Sequence, residues 1–225
     1  YAPGPLIQSE VNTAKSILED SKKPLCTIIS GAKISTKISL IETFSDKADH
    51  LILGGGLLNT YLQCKGFEVG VSLVERDLSQ EVLSFFESES AKKIIMPTDL
   101  VCSADASLDY PKTKSISMVQ SNDKILDIGT KSIERYTEII KKSSTVFWNG
   151  PLGYVEKKPY DKGTESIINV LADANCYSVI GGGDTVSVIE NMGVQDKISY
   201  ISTGGGALLK YIEGKDMYVI KKLGL

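Results

Sequence analysis

The sequence predicts an α/β fold of three layers, a mostly parallel sheet with helices on both faces. Short β-rich runs alternate with segments whose apolar residues recur at helical spacing. Glycines at 31, 54, 129, 150, 181 and 204 follow the ends of these runs, where a strand must turn tightly into a helix. The 225 residues, 42% hydrophobic, suffice for one domain over residues 1–225 with a sizeable core.

In residues 8–19, Val11, Ala14, Ile17 and Leu18 fall at helical spacing, and Lys22-Lys23-Pro24 ends that helix. Leu25-Cys26-Thr27-Ile28-Ile29 is a buried strand closed by Ser30-Gly31-Ala32, and Ile34, Ile38, Ile41 and Phe44 mark one face of the helix behind it. Leu51-Ile52-Leu53 then runs into Gly54-Gly55-Gly56 and a helix with Leu57, Leu58, Tyr61 and Leu62. A helix over residues 80–88 leads to a strand at Lys93-Ile94-Ile95-Met96-Pro97 and another at Leu100-Val101-Cys102. Residues 105–120 are polar, with β-like alternation at Ile116 and Met118, and read as a surface excursion.

Lys124-Ile125-Leu126-Asp127-Ile128 ends at Gly129-Thr130 before a helix marked by Ile133, Tyr136 and Ile140. Thr145-Val146-Phe147-Trp148 ends at Asn149-Gly150-Pro151-Leu152-Gly153, a longer loop that passes Glu156 before the helix of Ile167, Ile168 and Leu171. Residues 176–180 stop at Gly181-Gly182-Gly183, with Val186, Ile189 and Met192 behind. Ile198-Ser199-Tyr200-Ile201 ends at Ser202-Thr203-Gly204-Gly205-Gly206 and a last helix through Leu208, Leu209 and Ile212. The alternation is Rossmann-like, and ligands of such sheets bind along the edge formed by the strands' carboxyl ends.

Composition excludes several functions. A net charge of −3 with scattered Lys and Arg argues against a nucleic-acid footprint or a basic membrane face. Cys26, Cys64, Cys102 and Cys176 form no C-x-x-C pair, so neither zinc nor a disulfide framework is indicated. With no apolar run near 18 residues and no signal-peptide pattern at Tyr1-Ala2-Pro3-Gly4-Pro5, a soluble cytoplasmic monomer is expected. His50, the only histidine, opens a strand; a Ser-His-Asp or Cys-His mechanism would have to use it.

The glycine turns carry the chemistry. At Gly181-Gly182-Gly183 no side chain blocks the backbone, and the following helix N-terminus carries free donors and partial positive charge, which suit a phosphate. Asp184 would repel that phosphate unless a cation such as Mg²⁺ lies between them; alternatively it caps the helix. Lys33 and Lys37 oppose the dipole of their own helix start, which a phosphate ligand would justify; alternatively both are solvated. Gly54-Gly55-Gly56 is not a dinucleotide fingerprint, since Asn59 stands where G-x-G-x-x-G needs glycine. Six glycine turns with two lysines, Asp184, Asn149 and Glu156 on one predicted edge favour a phosphorylated ligand.

Gly31-Ala32-Lys33-Ile34-Ser35-Thr36-Lys37-Ile38, Leu53-Gly54-Gly55-Gly56, Trp148-Asn149-Gly150-Pro151-Leu152-Gly153, Ile180-Gly181-Gly182-Gly183-Asp184-Thr185 and Ile201-Ser202-Thr203-Gly204-Gly205-Gly206-Ala207 resemble, in order and spacing, the carboxy-terminal half of the phosphoglycerate kinase family. The resemblance runs from about Gly4 to the end. It implies the nucleotide-binding half of a two-domain hinge enzyme that moves the acyl phosphate of 1,3-bisphosphoglycerate to Mg-ADP. It further implies that Lys37 contacts the transferring phosphoryl group and that Lys33 neighbours the nucleotide phosphates. Asp184 becomes the Mg²⁺ ligand, with Thr185 and the amides of Gly182 and Gly183 on the phosphates. Asn149 faces the phosphates, and Glu156 holds the ribose hydroxyls. Gly31, Ala32, Gly55 and Gly129 form the adenine slot, with Pro151 and Tyr154 also at the nucleotide. The amides of Gly204, Gly205 and Gly206 receive the phosphoryl group in flight.

Four positions depart from the family pattern: Ser30 replaces glycine, Thr36 aspartate, Thr130 proline, and Tyr154 a small aliphatic residue near the adenosine. The family's amino-terminal domain, which supplies the basic patch and arginine for 3-phosphoglycerate or 1,3-bisphosphoglycerate, lies outside these 225 residues. The chain alone is therefore expected to bind Mg-ADP or Mg-ATP with negligible turnover. Its tail, residues 218–225, corresponds to a region that folds back toward the other domain. A non-catalytic nucleotide-binding module and an NAD-binding dehydrogenase domain are the rival readings; the second lacks its G-x-G-x-x-G turn.

Overall fold

The computed structural model describes residues 4–204 and 206–215. Helix α1 (Pro5–Glu19) has Pro5 at its start, where a missing N–H costs nothing, and buries Val11, Ala14 and Ile17 as its spacing predicts. Strand β1 (Leu25–Gly31), helix α2 (Ile38–Lys47), strand β2 (His50–Gly54) and helix α3 (Gly55–Cys64) follow, then α4 (Gln80–Glu87) with Ser79 as its N-cap. Next come β3 (Asp99–Ser103), β4 (Lys112–Ser115), β5 (Lys124–Ile128), α5 (Thr130–Lys142) and β6 (Thr145–Asn149). The chain continues through α6 (Lys162–Asp173), β7 (Tyr177–Gly181), α7 (Gly183–Met192), β8 (Tyr200–Ile201) and α8 (Gly206–Ile212).

Among the described residues the central sheet has five parallel strands in the order β2-β1-β6-β7-β8. Parallel neighbours require crossovers, and the helices sort into two packed groups: α1 and α2 meet α8, while α5 and α7 meet α6. Both the strands and the layers between them are dry, with Ile28, Phe147, Trp148 and Ile180 fully buried and Phe44 stacked on Phe147 at 4.6 Å between ring centroids. Winding leaves β1 toward β2 on one side and proceeds from β6 toward β8 on the other. The order therefore reverses between β1 and β6, where Ile29 pairs with Asn149, and such a reversal opens a crevice at the strands' carboxyl ends.

The structure corrects four sequence expectations. Strand β5 does not join the parallel sheet: with β3 and β4 it forms a second, antiparallel sheet in the order β4-β3-β5. An isolated apolar run does not say which strand it will pair with. The strand at residues 93–97 is instead a 3₁₀ turn (Ser90–Lys93) and a single bridge from Ile94 to Leu51; Pro97 cannot extend the ladder. Ile116 and Met118 lie in a 3₁₀ turn (Ile116–Met118), not in alternating β structure. The helix carrying Ile34 to Phe44 is broken, because Lys37, at φ −124° and ψ 0°, separates a 3₁₀ turn (Ile34–Thr36) from α2. The tail at 218–225 lies outside the described residues.

Candidate functional site

A cleft of about 370 Å³ opens at the carboxyl ends of β1 and β2, against β5 of the second sheet. One wall is the turn of Gly31 and Ala32 laid against Gly55 and Gly56 at the start of α3. A Cβ on Gly56 would meet the Ala32 carbonyl oxygen at 2.3 Å, so only glycine lets these two turns pack backbone to backbone. The other wall is β5 with the loop through Pro151, Tyr154 and Glu156, and Asp184 stands at one end. Ser30, at the position where glycine was expected, is buried and ties this loop to β1 by donating to the Pro151 carbonyl at 2.5 Å.

Next to Asp184, and outside the cleft lining itself, a polar cluster is assembled from three strand tips. Asn149, the last residue of β6, is buried, and its Oδ1 accepts a hydrogen bond from Lys37 Nζ. Burial lowers the Lys37 pKa below the ordinary lysine value, while the Glu213 carboxylate raises it. The Asn149 amide also faces the β7–α7 turn: Gly182 has φ +97°, and a Cβ there would lie 3.1 Å from Asn149 Nδ2. Gly182 caps α7, so the amides of Gly183, Asp184 and Thr185 lie in its first turn, where no carbonyl four residues back can accept them within the helix. A Cβ on Gly183 would have no atom within 4 Å, so this helix end faces open space. The result is an ammonium, a carboxamide and a positive helix end around one volume, with the Asp184 carboxylate at its border.

Not every expected residue arrives there. Lys33 is exposed and makes no side-chain hydrogen bond or ion pair among the described residues; like Lys37, Asn149 and Gly182 it lies outside the cleft lining. Thr185 is fully buried, and its hydroxyl has no hydrogen-bond partner among the described residues. Gly129, expected in the slot, lies outside the lining; a Cβ would sit 2.3 Å from Asp99 Cγ. The reason is that Asp99 caps α5 from a neighbouring strand, accepting from the Ser132 amide at 2.8 Å and the Lys131 amide at 3.2 Å.

Gly204 is engaged within the protein. Its amide, expected to meet a phosphoryl group, donates to Glu10 Oε1 at 3.0 Å, and the Thr203 amide does so at 3.1 Å. Gly206 begins α8 with open space around it, and Gly205 lies outside the described residues.

Sequence reasoning missed the apolar walls, Leu58, Leu73, Leu126 and Leu152, and the buried carboxyl of Asp127 beneath the loop. Leu73 sits in a segment with no periodic signal, and Leu126 and Asp127 reach the cleft only because β5 leaves the main sheet. Asp127 accepts the Gly163 amide at 2.7 Å and the Ile128 amide at 2.8 Å. Burial nevertheless pushes its pKa up to about 7, with the Asp161 charge adding to the rise.

Known proteins resemble the chain over nearly its whole length. A family model described as phosphoglycerate kinase matches residues 1–215. A phosphoglycerate kinase of Mannheimia succiniciproducens is 41% identical over 99% of this chain and 59% of its own length. The structure of phosphoglycerate kinase from Coxiella burnetii superposes with a TM-score of 0.92 at 37% identity, covering 98% of this chain and 58% of that one. The enzyme of Pyrococcus horikoshii gives 0.81 at 25% identity, over 98% and 56%. The chain thus spans somewhat more than half the length of the relatives it matches.

Proposed function

The chain belongs to the phosphoglycerate kinase family, and on that premise we propose that its cleft holds Mg-ADP or Mg-ATP. Together with a triose-phosphate-binding domain of the family type, it would transfer the acyl phosphate of 1,3-bisphosphoglycerate to ADP, giving ATP and 3-phosphoglycerate in cytoplasmic glycolysis. One observation carries this reading: the Lys37 ammonium is held by Asn149, Asn149 abuts the Gly182 turn, and the open N-terminus of α7 that follows this turn brings Asp184 to the lining of an apolar cleft.

In this reading the base lies between the Gly31-Ala32 and Gly55 turns and the side chains of Leu58, Leu73 and Leu126, with Pro151 and Tyr154 along the loop. Glu156, exposed at the cleft, accepts from the ribose hydroxyls. The phosphate tail runs to the amides of Gly183, Asp184 and Thr185 beside the Gly182 turn, with Lys33 as a second, outlying cation.

Among the described residues there is no group of three or more His, Cys, Asp or Glu side chains that could hold a metal. Mg²⁺ keeps its waters and takes one or two carboxylates plus substrate phosphates, and Asp184, in the cleft lining, is the carboxylate that would hold it. The ion supplies charge neutralisation on the nucleotide phosphates.

Phosphoryl transfer asks for in-line positioning and positive charge on the oxygens in flight, not for a proton-shuttling histidine. Lys37 supplies that charge, and its partial burial lessens the water to be displaced when the phosphoryl group arrives. The turn through Gly204, Gly205 and Gly206 would supply the further donors, with the Gly204 amide at present engaged by Glu10. Without the second substrate held nearby, positioning worth several kcal/mol is missing, so the chain by itself binds nucleotide and turns over negligibly.

Calorimetric titration tests this reading. ADP is expected to bind in the presence of Mg²⁺ and more weakly without it. Preference for NAD⁺ over ADP would overturn the assignment, and Mg-independent ADP binding would remove the role given to Asp184. Turnover of the chain alone at about 1 to 100 per second would refute the need for a second domain.

A further inference from the structure

The loop that carries Tyr154 and Glu156 is fastened to the second sheet from several sides. The Tyr154 amide donates to the Leu126 carbonyl at 2.8 Å, and the Gly163 amide donates to Asp127 at 2.7 Å. Between these points, the fully buried Tyr160 donates its hydroxyl to the Leu108 carbonyl at 2.7 Å. Lys157 donates to the Ser107 carbonyl and to Asp109 Oδ1, the latter at 2.8 Å. Residues 107–109 belong to the excursion between β3 and β4 and line no part of the cleft. Leu108 adopts φ +59°, a left-handed conformation that is unfavourable for leucine and survives only where its surroundings hold it. The tyrosine hydroxyl on its carbonyl is such a hold.

Glu156 makes no side-chain hydrogen bond or ion pair among the described residues. Its carboxylate is therefore placed by the backbone on either side, at Tyr154, which is tied to β5, and at Lys157, which is tied to the excursion between β3 and β4. We propose that Tyr160 and Lys157, clasping residues 107–109, form a latch that positions Glu156 for the ribose, so that nucleotide affinity is set partly by residues that touch no ligand. The inference rests on the nucleotide reading above. Tyr160 and Lys157 are positioning residues. Releasing them lets the 154–160 loop sample other conformations, and the ribose contact then bears the entropy of ordering it.

The experiment compares Mg-ADP with Mg-2′,3′-dideoxy-ADP, which lacks both ribose hydroxyls, by calorimetry on the full chain. Tyr160→Phe is expected to weaken ADP binding roughly three- to tenfold, the range of one neutral hydrogen bond, and Lys157→Met about twofold. Neither variant should change affinity for the dideoxy analogue, and Lys157→Arg should restore ADP binding. Melting curves confirm that each variant is folded at the titration temperature; if Tyr160→Phe is not, the surface variant Lys157→Met decides. Unchanged ADP affinity in the folded variants, or an equal loss for both ligands, overturns the latch alone. Failure of the unmodified chain to bind ADP overturns the nucleotide reading and the latch with it.

Discussion

Glu10, on the first helix, accepts the amide of Gly204, 194 residues further along the chain, at 3.0 Å. The same carboxylate accepts from the Ser202 hydroxyl at 2.9 Å and the Thr203 amide at 3.1 Å, and it is buried. A glycine-rich turn that looks ready for an anion thus already holds one supplied by the protein. Because truncation leaves buried donors without a partner, Glu10→Ala should lower unfolding free energy by about 2 kcal/mol or more. Denaturant unfolding measures this; a loss below about 0.5 kcal/mol would mean that water satisfies the turn equally well.

Gly182 and Gly183 are adjacent but should respond oppositely. Gly182→Ala places a Cβ 3.1 Å from Asn149 Nδ2 at φ +97°, so it should destabilise by about 1 to 3 kcal/mol. Gly183→Ala meets open space at the first helical position and should leave the melting midpoint nearly unchanged. If phosphates approach this helix end, the same change should still weaken ADP binding tenfold or more. Parallel melting and titration of the two variants separate the effects.

Asp127 gives a pH dependence of defined sign. Its folded carboxyl keeps a proton up to about pH 7, whereas the ordinary value is 3.8, so between those values the folded state binds more protons. Its contribution is present in full below the lower value and is lost as pH rises through the upper one. The range corresponds to at most about 4 kcal/mol. Unfolding free energies across pH 4 to 8, compared between the unmodified chain and Asp127→Asn, should show a downward slope in the first that is absent from the second.

Lys37→Ala, in a form that carries both domains, should reduce kcat by about 100-fold or more with a much smaller change in KM for ADP. That pattern belongs to a group that acts on the phosphoryl oxygens in flight. Normal turnover with weakened ADP affinity would reassign the residue to ground-state binding.

The repeating strand, glycine turn and helix, and the lysine and aspartate beside those turns, were legible in the chain because their signals are local. Periodicity and turn chemistry span a dozen residues, and Lys37, Asn149, Gly182 and Asp184 each sit where such a unit puts them. The cleft's walls were not legible in this way. Leu73 and Leu126 become neighbours of Gly31 only when β5 abandons the parallel sheet for an antiparallel one.

What the amino-acid order decided alone was the list of helix ends that could accept an anion. Which of them remained open was decided by the folded chain: Asp99 closed the start of α5 and Glu10 engaged the amides of Thr203 and Gly204, while Gly183 at the start of α7 and Gly206 at the start of α8 were left facing space. A free amide is satisfied by whichever carboxylate lies within about 3 Å of it, and residues that far apart in sequence come that close only through packing.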